Sequence, residues 1–142
     1  MNSAICVDSS FVIKLLIDEE GSKRAASSWD SWLRVGVEIV APTLLAYEVT
    51  SVLRTALHRR RVSEAFANEA LREFFGLSIA FHESVAMHQN AFLKATSFGL
   101  GAAYDAHYLA LAAEIDCEFW TADARLFNAT AGRFPLIRLL SA

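Results

Sequence analysis

The chain has 142 residues, of which 54% are hydrophobic and 20% charged, with a formal net charge of −3. This length suits one globular domain with a substantial core, and the composition excludes a disordered or low-complexity chain. The acidic balance does not advertise nucleic-acid binding, and no apolar run is long enough to span a bilayer. In chain order, Ala4-Ile5-Cys6-Val7-Asp8 predicts a buried first strand over 4–8. Ser9 or Ser10 can cap a helix running to Leu16, and Gly21 separates it from an amphipathic segment over 22–34. Gly36 precedes a second strand over 37–41, and Pro42 stands at the start of a helix reaching about Arg60, with Thr43 available as its cap. Ser63-Glu64 opens a further helix that reaches Phe74-Phe75 and stops at Gly76. A third strand over 77–81 is followed by a helix from about Ser84 to Thr96. The loop Phe98-Gly99-Leu100-Gly101 leads to a helix that contains Asp105 and ends at Ile115. A fourth strand over 117–121, a short helix over 124–129 and a fifth strand over 136–140 complete the chain. Strands separated by helices require parallel crossovers. The expected fold is therefore α/β, a three-layer α/β/α sandwich with a central, mostly parallel sheet, as a single domain over residues 1–142.

Four acids stand where carboxylates are costly. Asp8 closes the first strand, and Asp123 follows Phe119-Trp120-Thr121-Ala122 near the end of the fourth. Glu48 lies beside the apolar stripe of Leu44, Leu45, Val49, Val52 and Leu53, and Asp105 shares a helix face with Tyr108, Leu109 and Ala112. A buried carboxylate loses its hydration unless it is paired or binds a cation, and several together repel one another. A divalent ion relieves both costs. In open parallel sheets, sites form outside the carboxyl ends of strands near a reversal of strand order, and all four acids can reach such an edge. The alternative for each acid alone is a helix cap, a helix-surface charge or a buried ion pair: Asp8 and Asp123 precede helices, and Glu48 has a partner available in Arg54 or another arginine across the fold.

The remaining chemistry-bearing residues are less directive. Cys6 and Cys117 fall in expected strands and read as reduced core thiols. The N-terminus has no secretory-signal pattern, so a cytoplasmic location is expected. Arg54, His58, Arg59, Arg60 and Arg61 crowd one helix end, where they either complement the helix dipole or contact a phosphate or partner. His58, His82, His88 and His107 are scattered, and His107 is assigned to packing or the surface. Trp29, Trp32, Phe74, Phe75 and Phe81 read as core or subunit contacts before they read as base-stacking surfaces. No Cys/His ligand cluster suggests zinc, and no phosphate-cradling loop of the Walker type occurs.

Taken together, Val7-Asp8-Ser9-Ser10, Pro42-Thr43-Leu44-Leu45-Ala46-Tyr47-Glu48-Val49, Tyr104-Asp105-Ala106-His107-Tyr108-Leu109-Ala110-Leu111-Ala112 and Thr121-Ala122-Asp123 resemble a PIN-domain ribonuclease, and more narrowly a VapC-type toxin. The resemblance covers nearly the whole chain. It implies a metal-dependent endoribonuclease whose acidic cluster is Asp8, Glu48, Asp105 and Asp123, with Asp8 and Asp105 foremost as ligands of Mg²⁺ or Mn²⁺. Ser9 and Thr121 match the hydroxyl positions beside the terminal acids, where they would orient a carboxylate or water, or else serve as strand-end or cap hydrogen bonds. The resemblance further implies an RNA substrate, a cognate antitoxin and a homodimer, with segments 11–34 and 63–75 as candidate contact surfaces and no membrane association. A housekeeping RNA-processing nuclease without an antitoxin and a non-catalytic PIN-like binding module are the alternatives.

Overall fold

The computed structural model describes residues 4–141. Its elements, in order, are β1 (Ala4–Val7), α1 (Ser9–Leu16), α2 (Ser22–Arg34), β2 (Glu38–Pro42), α3 (Leu44–His58) and α4 (Glu64–Gly76). They are followed by β3 (Ile79–His82), α5 (Val85–Phe98), α6 (Tyr104–Ile115), β4 (Glu118–Thr121), α7 (Ala124–Thr130) and β5 (Ile137–Leu139). The strands form one sheet in the order β3-β2-β1-β4-β5, and every pairing is parallel. The expectation of an α/β sandwich with a mostly parallel sheet is met, and the sheet is parallel throughout the described residues.

Strand order dictates the layers. The steps from β1 to β2 and from β2 to β3 run the same way across the sheet, so right-handed crossovers put α1 to α4 on one face. The step from β3 back to β4 reverses direction and puts α5 and α6 on the other face, where α6 packs on β1, β2 and β4. Covering both faces explains why Ala4-Ile5-Cys6-Val7 and Ile39-Val40-Ala41 are continuously buried instead of alternating.

The two core layers are built differently. On the α1–α2 side, Phe11 stacks on Trp32 with ring centroids 5.3 Å apart, and Trp32 meets Trp120 at 5.5 Å. On the α6 side, Tyr108 lies parallel to Phe119 at 5.7 Å. The aromatics read as contacts divide: Trp29 and Phe74 are buried, whereas Phe75 and Phe81 remain exposed.

Strand boundaries shift by one or two residues from expectation, most at β3, which begins at Ile79 instead of residue 77. Asp8 is not a strand residue. It has extended backbone and caps α1, accepting from the Phe11 N–H at 3.1 Å. Thr43 precedes α3 without a capping hydrogen bond, and its hydroxyl turns to Glu83 instead.

Candidate active site

The chain runs outward from β1 toward β3 on one side and from β4 to β5 on the other. The crevice at the carboxyl ends of β1 and β4 is therefore the topological switch point, where open parallel sheets bind ligands. Asp8 leaves β1 at that crevice, and Asp123 leaves β4 two residues beyond Thr121.

Asp8 is 4% exposed, and each of its oxygens is held. Oδ1 accepts from the Ser10 hydroxyl at 2.6 Å and from the Phe11 N–H, while Oδ2 accepts from the Thr121 hydroxyl at 2.5 Å. The Ser10 and Thr121 oxygens are themselves 3.2 Å apart, and Ser10 and Thr121 accept the backbone N–H groups of Ala122 and Asp123. These contacts tie the start of α1 to the end of β4. Burial still outweighs them and raises the Asp8 carboxyl to about 6, against the hydrogen bonds of Ser10, Thr121 and Phe11, with Asp105 adding repulsion.

The other acids are half-buried. Glu48 projects from α3, and its Oε1 accepts the hydroxyl of the fully buried Tyr108 at 2.5 Å. Burial raises the Glu48 carboxyl, and so does Asp105, while the hydroxyls of Tyr108 and Ser9 and the nearby His107 act the other way. Asp105 stands in the first turn of α6 and is raised by burial and by the negative charge of Asp123. Asp123 caps α7, accepting from the Arg125 and Leu126 N–H groups at 3.0 and 3.2 Å. Asp105 and Asp123 line a cleft of about 450 Å³ with Arg125.

The capping reading is thus correct in its own terms for Asp8 and Asp123, and Asp123 caps α7 while also lining the cleft with Asp105. The proposed Glu48–Arg54 pair is not formed; Tyr108 is the partner. Ser10, not Ser9, holds Asp8 and Thr121, and Ser9 acts on Glu48. Tyr108 was legible only as an apolar-face residue, since the partner of its hydroxyl lies 60 positions away. The histidines are not all scattered: His88 and His107 meet at 2.8 Å.

The donor set is hard oxygen, suited to Mg²⁺ or Mn²⁺, and mutual repulsion among the acids is what a cation would relieve. Among the described residues, no three Asp, Glu, His or Cys side chains are positioned closely enough to grip an ion as they stand. An ion here would be held by one or two of the carboxylates and by its own retained waters, the usual manner for Mg²⁺.

The PIN domain family pattern matches residues 5–132. The chain belongs to the PIN-domain family. This PIN domain is 26% identical over 132 residues to a VapC ribonuclease of Mycobacterium bovis and to ribonuclease VapC9 of Mycobacterium tuberculosis. In each case the match covers 93% of this chain and 95% of the relative. Its fold superposes on the crystal structure of PAE2754 from Pyrobaculum aerophilum with a TM-score of 0.68, covering 91% of this chain and 81% of that one at 24% identity. No helix among the described residues is long and apolar enough to cross a membrane.

Proposed function

We propose that the protein is a VapC-type endoribonuclease that hydrolyses RNA phosphodiester bonds at Asp8, Glu48, Asp105 and Asp123 with Mg²⁺ or Mn²⁺. The carrying observation is that these acids, drawn from four separate segments, act on one another electrostatically at the switch-point edge of the sheet. Family membership and the ribonuclease names of relatives matched over nearly their full length support the same reading.

Asp8 and Asp105 would be the principal ligands, with Glu48 and Asp123 completing the site. A divalent ion bound there supplies a more acidic water and neutralises charge developing on the phosphate. The chain's own part is positioning. Thr121 and Ser10 fix both Asp8 oxygens, Tyr108 fixes Glu48, and the α7 cap fixes Asp123. Arg125, on the same cleft wall, is placed to meet a phosphate oxygen. Attack of water on phosphorus with departure of the 3′ oxygen leaves a 5′-phosphate and a 3′-hydroxyl.

The VapC reading carries a cognate antitoxin, a homodimer and action in the cytoplasm. A groove lined by Ile13, Ile17, Val52, Ala56 and Val62, with Glu19 and Arg61 at its side, suits an apolar antitoxin segment. Incubation of purified protein with structured RNA, in Mg²⁺ or Mn²⁺ and in EDTA, tests the activity. Metal-dependent products ending in 5′-phosphate support it. Metal-loaded, folded protein that leaves every RNA intact contradicts it.

A further inference from the structure

Two tyrosines that adjoin the acids in sequence turn outward. Tyr47, next to Glu48, is 75% exposed, and Tyr104, next to Asp105, is 64% exposed. Both line a cleft of about 640 Å³ together with Thr43, Glu83, His88 and His107. Tyr104 also lines the cleft that holds Asp105, Asp123 and Arg125. The two clefts therefore share Tyr104 in their walls. A chain of ligand units reaching the acids can occupy both.

The polar side of the larger cleft is organised by a continuous hydrogen-bond chain. The Thr43 hydroxyl donates to Glu83 Oε1 at 3.0 Å, and Glu83 Oε2 lies 2.5 Å from His88 Nε2. His88 Nδ1 is 2.8 Å from His107 Nε2, and His107 Nδ1 is 2.7 Å from the Ala103 carbonyl. A carbonyl only accepts, so His107 Nδ1 carries a proton. One further proton lies between the two rings and one between His88 and Glu83. Hydrogen bonding from His88 is the main cause that holds the Glu83 carboxyl below its ordinary range.

An acceptor carboxylate beside exposed aromatic rings suits a base better than a phosphate, which the carboxylate would repel. Each Glu83 oxygen accepts one hydrogen bond from within the chain and keeps a lone pair for a ligand, and the Glu83 side chain is 52% exposed. A carboxylate acceptor favours bases that present an exocyclic amino group over uracil, whose edge is mostly carbonyl. We propose that this cleft is a base-recognition subsite, which takes one unstacked nucleotide of the RNA beside the cut, stacks it on Tyr47 or Tyr104 and reads its amino group through Glu83. The proposal rests on the ribonuclease reading above and adds a specificity element to it.

The test is cleavage of a random-sequence RNA pool with sequencing of product ends, joined to KM and kcat on one cleaved RNA. Wild type is compared with Tyr47→Ala, Tyr104→Ala, Tyr104→Phe and Glu83→Gln, positions exposed enough for the fold to survive. Wild-type products are expected to be depleted in uridine at one position flanking the cut. Loss of a stacking ring at Tyr47 or Tyr104 is expected to raise KM roughly 5- to 150-fold. Tyr104→Phe keeps the wild-type KM, and Glu83→Gln abolishes the uridine depletion. Pool cleavage with no base preference, or alanine variants with unchanged KM and preference, overturns the subsite and leaves the nuclease reading standing. A wild-type protein that cleaves nothing removes both.

Discussion

Thr121 donates its hydroxyl to Asp8 Oδ2 at 2.5 Å, joining the ends of two adjacent parallel strands across 113 positions of sequence. Thr121 is fully buried, so this hydroxyl has no water to replace the bond. Thr121→Val keeps the shape and removes the donor, and should cost about 1.5–3 kcal/mol, the range for a hydrogen bond to a charged group. Chemical denaturation measures that loss, and RNA cleavage should fall with it. Thr121→Ser should retain most of both. A valine variant with wild-type stability and turnover would show that the hydroxyl does not hold Asp8.

Stability without metal should fall with rising pH. The Asp8 carboxyl is raised from 3.8 to about 6 in the fold, chiefly by burial. Between those values the folded chain binds more protons than the unfolded chain, so unfolding free energy decreases as pH climbs through that window. The penalty is absent below about pH 4 and complete above about pH 6, and a shift of roughly two units corresponds to about 3 kcal/mol. Glu48 and Asp105 are raised as well and act with the same sign. In EDTA, the melting temperature should be higher near pH 5 than at pH 7.5, and Asp8→Asn should flatten the difference. A wild-type melting temperature that climbs steadily from pH 5 to pH 8 would contradict this.

Tyr108→Phe isolates the support of Glu48. The ring remains stacked on Phe119, and only the hydroxyl that donates to Glu48 is lost. Groups that orient a metal ligand typically contribute 10- to 100-fold in affinity, so Mn²⁺ binding should weaken by about that factor. Titration calorimetry reads this without any RNA. Unchanged affinity would remove Tyr108 from the positioning of the site.

Cys6 and Cys117 should be inert in the native protein. They are 0% and 1% exposed, and burial pushes both thiols up, Cys117 to about 11. A thiol reagent should label neither until denaturant is added, and then label both. Rapid labelling of the native chain would place one of them at the surface.

The parts of this molecule legible in the sequence are those set by local periodicity. Buried apolar runs such as Ala4 to Val7 announce a strand covered on both faces, and Gly99, with φ at 69°, ends α5 where the loop was expected. The four acids stood out because each interrupts an apolar pattern. What could not be read was which hydroxyls and rings would meet them. Ser10 and Ser9 are equivalent caps on paper, and only the direction of the first helical turn assigns one to Asp8 and the other to Glu48. His88 and His107 belong to different helices, and their contact depends on how α5 packs against α6. Thr43 reads as a cap by type and position, yet the end of β3 offers its hydroxyl a better acceptor in Glu83.

Asp105→Asn separates an acidic cluster that catalyses from one that only shapes the fold. Burial and then the negative charge of Asp123 raise the Asp105 carboxyl, and none of the hydrogen bonds described for the acids relies on it, so the variant should fold with equal or greater metal-free stability. Cleavage of an RNA pool in Mn²⁺ by wild type and by Asp105→Asn, each at matched folded concentration, is the measurement. Wild type should cleave in a metal-dependent manner, and the variant should lose at least about 100-fold, a size typical of removing a preorganised electrostatic group at the reacting centre. Wild-type rates in a folded Asp105→Asn protein would contradict the catalytic reading.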